Sequence, residues 1–469
     1  MPQGWNLEQS YLKLPGAFYT RQAPVPVSAP KLILFNRVLA KELGIDPDSF
    51  GSEDNLARIF SGNELPEGAS PFAQSYAGHQ YGGFTRLGDG RAIVLGEQID
   101  PSGKRFDLQF KGSGPTPYSR RGDGRAAIGP MLREYLISEA MHALGIPTTR
   151  SLAVVATGEP VFRESVLPGA ILTRVAASHV RVGTFEFAAA FHDRTAVQAL
   201  ADYVIERHYP ALRTESRPYV ALLREVIARQ ARLIAQWMLV GFVHGVMNTD
   251  NMLVSGETID YGPCAFMDRY DPATVFSSID ANGRYAFGNQ PPIAQWNLAR
   301  LAESLLPLLD DVEARAIEIA TEVLNRFEGD FSEHLLAGMA LKVGISAPGV
   351  GDSTLISELL ELMQELKLDY TNTFAALTRG EKGGLPEEWL SRWKARQPDS
   401  ALMQKSNPLV IPRNHLVEEA LSKATEGDLA PFNELLAAVQ KPFDSKELPP
   451  RYLEPAPLGN EPYRTFCGT

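Results

Sequence analysis

Between Tyr76 and Gly112 the chain runs in short apolar stretches separated by glycines, and beyond residue 176 it changes to apolar residues at helical spacing. Glycine-bounded apolar runs read as strands and hairpins, and the later pattern reads as helices. A β-rich part followed by a helix-rich part predicts an α+β chain of two lobes, with a natural ligand cleft between them. Its 469 residues leave room for two or three core-bearing units. We place an N-terminal arm and β-rich lobe at 1–175, a helical lobe at 176–440 and an extended, proline-rich tail at 441–469 ending in Cys-Gly-Thr.

In the first lobe, residues 7–28 mix aromatics and proline without periodicity and read as an irregular arm. Residues 30–43 read as a short helix, opened by Pro30 and stopped at Gly44. The clearest strands are 91–97 and 105–111. In the second, Phe106, Leu108 and Phe110 alternate with Asp107, Gln109 and Lys111, which puts Lys111 on the polar face. Leu132, Leu136, Ala140 and Leu144 give a helix at 130–144 one core face, and further strands are expected at 151–157 and 170–175. Leu223, Ile227, Ile234 and Met238 mark 219–240 as a buried central helix. Short strands are expected around a turn at Gly256, and helices at 296–309, 312–327, 354–366 and 415–424.

Forty-five basic against 56 acidic residues give a net charge of -11, so nucleic acid and anionic membranes are poor general partners. The first twenty residues lack the layout of a secretory signal, and no apolar run is long enough to cross a bilayer. A soluble, cytoplasmic monomer is expected. Two cysteines, Cys264 and Cys467, do not make a disulfide framework.

Several constellations carry chemistry. Leu87-Gly88-Asp89-Gly90-Arg91 has the Asp-Gly pair of a tight hairpin turn. The same residues suit a loop laid over phosphates, where Gly88 and Gly90 let backbone N–H groups approach and Arg91 adds charge. Lys111 on a strand and Glu134 on the next helix have the order of a lysine held by a glutamate so that its ammonium reaches phosphates; either alone would be an ordinary surface residue. The stretch from Lys111 through Arg120-Arg121-Gly122-Asp123-Gly124-Arg125 concentrates Arg and Gly as an anion site does, or as a solvated loop does. Arg174 and Arg181, near the join of the lobes, carry the fixed fork of donors that phosphate contacts use.

The most specific stretch is His244-Gly-Val-Met-Asn-Thr-Asp-Asn-Met-Leu-Val254, followed by Ile259-Asp260-Tyr261-Gly262. A helix, a polar loop, a hairpin at Gly256 and Asp-aromatic-Gly arrive in the order of a protein-kinase catalytic loop and its metal-binding Asp. Asn251 and Asp260 are then the hard oxygen ligands that magnesium requires. The kinase pattern puts its catalytic Asp two residues after the His; Val246 stands there and accepts no proton. The chain is therefore inactive or uses another base. Asp250 is the nearest carboxylate, as base or as a group bridging to the metal.

In this order the residues resemble the SelO (selenoprotein O) family of protein adenylyltransferases, from YAGHQYGGFTRLGDGRA through HGVMNTDNMLV and IDYGP to Cys467-Gly468-Thr469, nearly the whole chain. The resemblance implies a protein-kinase-like fold with additional C-terminal helices, binding ATP turned end for end so that its α-phosphate faces the acceptor hydroxyl. It implies that Gly88, Gly90, Arg91, Lys111, Asp123, Gly124, Arg174 and Arg181 hold the nucleotide and that Glu134 orients Lys111. Asn251 and Asp260 would bind Mg2+ or Mn2+, and Asp250 would be the base. The implied activity is AMP transfer from ATP to Ser, Thr or Tyr hydroxyls of proteins, with pyrophosphate released. The alternatives are UMP transfer with manganese, γ-phosphate transfer, which Val246 disfavours, and a nucleotide-binding pseudokinase scaffold, which retention of Lys111, Glu134, Asn251 and Asp260 disfavours. Many members carry selenocysteine or cysteine third from the end, where Cys467 stands, and Cys264 follows the Asp-Tyr-Gly motif. A redox-regulatory disulfide between Cys264 and Cys467 is the corresponding expectation.

Overall fold

A computed structural model describes residues 4–444, 449–457 and 463–465. The first lobe is built on strands β1 (Leu7–Glu8), β2 (Tyr19–Arg21), β3 (Lys31–Phe35) and β4 (Phe72–Gln74), a separate hairpin of β5 (Ala77–Gln80) and β6 (Gly83–Arg86), then β7 (Ala92–Ile99), β8 (Arg105–Lys111), β9 (Ala126–Ala127), β10 (Arg150–Phe162) and β11 (Val166–Ala176). The main sheet runs β2-β4-β7-β8-β11-β10-β3, with β1 on β7 and β9 on β11. The expected strand at 105–111 is its centre: Lys111 stands opposite Ala92 on one side and Leu172 on the other. Leu108 and Phe110 enter a core with Leu152, Ile171 and Val175. The alternating face of Asp107, Gln109 and Lys111 is also buried, so its polar groups must find partners within the protein.

Three local expectations are corrected. Residues 31–35 form the edge strand β3, and the helix α1 (Arg37–Glu42) starts only after Asn36, whose side chain accepts from the Leu39 N–H. An apolar run this short is ambiguous between helix and strand, and pairing with β10 decides it. The arms of the Gly256 turn do not pair with each other: Leu253 bridges to Arg181 and Thr258 to Thr148, so both are taken up by the segments that join the lobes. The strands that enclose this loop are instead β12 (Phe242–Val243) and β13 (Ala265–Phe266). Finally, β6 and β7 do not pair, so Gly88-Asp89-Gly90 is a connection rather than a hairpin turn.

Helices α2 (Glu53–Phe60) and α3 (Ile128–Ala143) complete the first lobe. The second holds α4 (Val182–Phe191), α5 (Arg194–His208), α6 (Pro218–Leu239), α7 (Gln290–Leu309), α8 (Glu313–Leu324), α9 (Arg326–Lys342), α10 (Asp352–Glu365), α11 (Tyr370–Thr378), α12 (Glu387–Ala395) and α13 (Ser400–Ser406). The central helix is α6, whose Leu223, Ile227 and Ile234 are buried with Phe242, Leu298 and Leu301. Two last helices, α14 (Asn414–Thr425) and α15 (Ala430–Val439), return to the first lobe. Their Leu416, Val417, Leu421, Phe432 and Leu435 pack with Leu132, Tyr135 and Leu136 of α3, each large side chain contributing about 1.5–3 kcal/mol on burial. In the tail, Thr465 pairs through its backbone with Phe276 and Ser278. No helix among the described residues is long and apolar enough to cross a membrane.

Candidate active site

Strand β8 ends by carrying Lys111 into the cleft, where its ammonium donates to Glu134 Oε2 at 2.7 Å and to Asp260 Oδ1 at 2.9 Å. Glu134 comes from α3. Arg174, opposite Gln109 on the neighbouring β11, donates from Nε to Glu134 Oε1 at 2.7 Å, from Nη1 to Gln109 Oε1 at 3.2 Å and from Nη2 to Asp260 Oδ1 at 2.6 Å. Arg181, just before α4, donates to Asp260 Oδ2 at 2.9 Å and to the Asp250 carbonyl, with its guanidinium 4.8 Å from the centre of the Tyr76 ring.

Three cations thus face two carboxylates in a buried place; Arg174 is only 2% exposed. Burial works against ionisation of Asp260, but Arg174, Lys111 and Arg181 overcome it and hold the carboxyl well below its usual range. Glu134 is lowered as well, because Arg174 and Lys111 outweigh its burial. Three cations gathered in a region where charge is poorly screened are what an anion site needs. Asp260 sits at φ +62°, a left-handed conformation that a non-glycine residue keeps only when its surroundings over-determine it.

The loop from His244 supplies the opposing wall. Val246 lines the same cavity as Asp260 and, as the sequence indicates, offers no acceptor. Asn251 donates its amide N–H to the Val246 carbonyl at 3.1 Å, which leaves its amide oxygen for another partner. Asp250 is buried: Oδ2 accepts from Gln80 at 3.3 Å, and Oδ1 has no hydrogen-bond partner among the described residues. Burial pushes its carboxyl up to about 6, with Arg181 partly offsetting the rise.

A cavity of about 470 Å³ joins these groups, and every expected nucleotide-site residue except Glu134 lines it. Glu134 stands behind Lys111 and Arg174. The two glycine-rich stretches meet at the outer wall. A Cβ on Gly88, at φ +147°, would fall 2.4 Å from the Tyr118 ring, and one on Gly124, at φ +66°, would fall 2.1 Å from the Gly114 backbone. Asp123 is engaged by Arg163 through two bonds of 2.9 and 3.1 Å. Arg125 is directed mainly at the N-terminal arm, through the carbonyls of Val25 and Pro26.

The hairpin β5–β6 belongs to the site and was assigned no role from sequence. His79 N–H donates to Thr249 Oγ1 at 2.7 Å, Tyr81 N–H to Asn248 Oδ1 at 3.1 Å, and Gln80 reaches Asp250. The His79 ring is tied to Glu186 of α4. These residues carry no charge pattern of their own; their glycines and aromatics were the one available signal. Asp89, expected in a turn, is buried and accepts from Gln74 N–H at 3.0 Å, its carboxyl raised by burial to about 6.

A divalent ion fits the donor set in one way. Among the described residues no three His, Cys, Asp or Glu side chains cluster as a metal site. Asn251 and Asp260 would be the hard oxygen donors on one cavity, although both Asp260 oxygens here accept from Lys111, Arg174 and Arg181. Cys264 is buried, its thiol pushed up to about 12 by burial despite the nearby Arg133. Cys467 lies outside the described residues, but Thr465 Oγ1 bonds the Pro263 carbonyl at 2.6 Å, one residue from Cys264.

The family model for protein adenylyltransferase SelO matches residues 4–389. Proteins named protein nucleotidyltransferase YdiU from Bacillus thuringiensis and Anoxybacillus flavithermus are 56% and 57% identical to this chain, over 99% and 100% of both partners. ROP2 from Toxoplasma gondii, a solved structure of a virulence factor with a protein-kinase fold and no enzymatic activity, aligns at 12% identity and a TM-score of 0.26, over 63% of this chain and 87% of its own. That likeness is too slight to bear on fold or function. Matched by the family model over most of its length and by relatives of more than half identity over nearly all of it, the chain belongs to the SelO family of protein adenylyltransferases.

Proposed function

We propose that this protein transfers AMP from ATP to Ser, Thr or Tyr hydroxyls of other proteins and releases pyrophosphate. The observation that carries this reading is the charge layout of the cleft. Lys111, Arg174 and Arg181 are all buried and gather around Asp260. The β- and γ-phosphates hold most of the charge of ATP, so this buried cation cluster favours seating them there. The α-phosphorus is then the reactive centre nearest Asp250 and the hairpin β5–β6. Val246, in place of a carboxylate, speaks against ordinary γ-phosphate transfer.

In the step itself the acceptor oxygen attacks the α-phosphorus while its proton passes to Asp250. The bond from that phosphorus to the bridging oxygen breaks, and pyrophosphate departs with its charge matched by Lys111, Arg174 and Arg181. A carboxyl raised to about 6 is ionised at neutral pH yet more basic than a solvated Asp. A Mg2+ or Mn2+ ion held by Asn251 and Asp260 would neutralise phosphate charge. Because both Asp260 oxygens accept from Lys111, Arg174 and Arg181, holding the ion would require the phosphates to draw those cations away.

The test is incubation of the protein and an acceptor with α-labelled ATP, γ-labelled ATP and α-labelled UTP in turn, with either metal. Label from α-ATP alone supports AMP transfer. Label from γ-ATP alone rejects it, label from UTP alone moves the reading to UMP, and none from any points to a scaffold. Asp260→Ala abolishes transfer; full activity in that variant refutes its assignment as a metal ligand. Redox control through Cys264 and Cys467 is part of the proposal, supported by the seat of Thr465 on Pro263. Mass spectrometry of non-reduced peptides from oxidised protein finds the cross-linked pair, and its absence removes the switch.

A further inference from the structure

We infer that Arg133 is a positioning residue for the metal loop, and that the tail holds it there without any covalent bond. The inference rests on the adenylyl-transfer reading for its kinetics, but not for its binding test.

Arg133 precedes Glu134 on α3 and is 7% exposed. Glu134 points toward Lys111 and Arg174, while Arg133 points over the segment that follows Asp260. Its Nε donates to the Gly262 carbonyl at 3.1 Å and its Nη2 to the Cys264 carbonyl at 2.6 Å. The carbonyl between them, on Pro263, accepts from Thr465 of the tail at 2.6 Å. Three successive carbonyls just beyond Asp260 are therefore held, in turn, by α3, the tail and α3.

The remaining nitrogen of Arg133, Nη1, donates to Glu418 of α14 at 3.0 Å and to the Tyr463 hydroxyl of the tail at 3.2 Å, and Tyr463 itself bonds Glu418. Tail and helix together fix the guanidinium plane. A bifurcated grip of this kind needs the planar fork of Arg; Lys cannot reproduce it. Asp260 occupies a left-handed conformation that persists only while neighbouring residues hold it. The grip on residues 262–264 supplies that hold, and because it comes from the residue beside Glu134 it keeps the two acidic groups of the site in register.

The test compares wild type with Arg133→Lys, Tyr463→Phe and Thr465→Val, all under reducing conditions so that no cysteine pair contributes. Two quantities are read: the Mg2+ dependence of ATP binding by calorimetry, and kcat against KM for ATP in the transfer assay. Weakening a group that orients a metal ligand lowers metal affinity or activity by about 10–100-fold. Arg133→Lys therefore shifts the half-saturating Mg2+ concentration upward by about tenfold or more and lowers kcat, with KM for ATP at saturating metal changed less than about twofold. Tyr463→Phe and Thr465→Val shift the same Mg2+ dependence in the same direction by smaller factors. A variant that only loosens the fold lowers the melting temperature and leaves the Mg2+ dependence of its folded fraction unchanged; that result overturns the inference. If Arg133→Lys does not fold, the two tail variants decide it alone, and wild-type Mg2+ dependence in both is a refutation. Absence of transfer by the wild type would strike the functional proposal, while the binding measurement would still decide this one.

Discussion

Gly78→Ala is the sharpest test of how the hairpin β5–β6 sets the proposed base. Gly78 is buried, and its backbone lies outside the positive-φ region, so alanine can adopt the main-chain conformation without strain. The space is what it lacks. A methyl there would stand 2.8 Å from Asp250 Oδ1, 3.0 Å from Asp250 Cβ and 3.1 Å from Thr249 Oγ1. Relief to ordinary contact moves the carboxylate by roughly half an ångström, and overpacking of this order destabilises by about 1–3 kcal/mol. A misplacement of about 1 Å at reacting groups can lower a rate about 100-fold, so half of that predicts about a tenfold loss in kcat, or about 1.4 kcal/mol of barrier. The assay is the initial rate of α-label incorporation at saturating ATP and Mg2+, with ATP binding measured alongside. Binding holds within a factor of about two, because Lys111, Arg174 and Arg181 are untouched. A kcat within about twofold of wild type would refute the reasoning, since the carboxylate would then have moved without consequence.

Other outcomes follow from the same geometry. Arg174→Leu leaves Glu134 and Asp260 with Lys111 and Arg181 alone; breaking a buried pair from one side lowers stability by about 3–5 kcal/mol, to be read by urea unfolding, and ATP binding weakens with it. Lys342 of α9 is buried over the Phe374 ring at 4.2 Å, and burial lowers its ammonium to about 7. A folded-state value below the unfolded one means stability that is complete above about pH 10.5 and is lost as pH falls toward 7. Lys342→Met removes that penalty and, with the ring contact offsetting part of the gain, stabilises by about 1–3 kcal/mol at pH 7. The gain shrinks at pH 9.5, and an equal gain at both pH values would contradict the assignment.

The chemistry of the cleft was more legible than its construction. Alternation through Asp107, Gln109 and Lys111 identified the polar face of the strand, from which Lys111 reaches the cleft, and the spacing of Lys111 from Glu134 anticipated their 2.7 Å contact. Val246 was equally plain. What sequence patterns do not carry is contact across long separations. Gln80 and Asp250 stand 170 residues apart, and Arg133 and Tyr463 stand 330 apart, with no local period to join them. Arg125 lies in a basic run that suits an anion site and it lines the cavity, but its partners, Glu159 and carbonyls of the arm a hundred residues earlier, could not be read from that run. Residues 31–35 failed for the same reason: an apolar run takes its form from the strand beside it, and β10 follows more than a hundred residues later.

The cover that α14 and α15 place on α3 has a consequence for how the molecule is made. A ribosome delivers α3 long before those helices, so Leu132, Tyr135 and Leu136 wait with one side open while the entire second lobe is synthesised. Arg133 and Glu134 ride on that waiting helix. The cover on that helix is thus among the last parts of the protein to arrive, although Lys111 and Glu134 emerge early. A chain that ends before those helices leaves the apolar face of α3 uncovered.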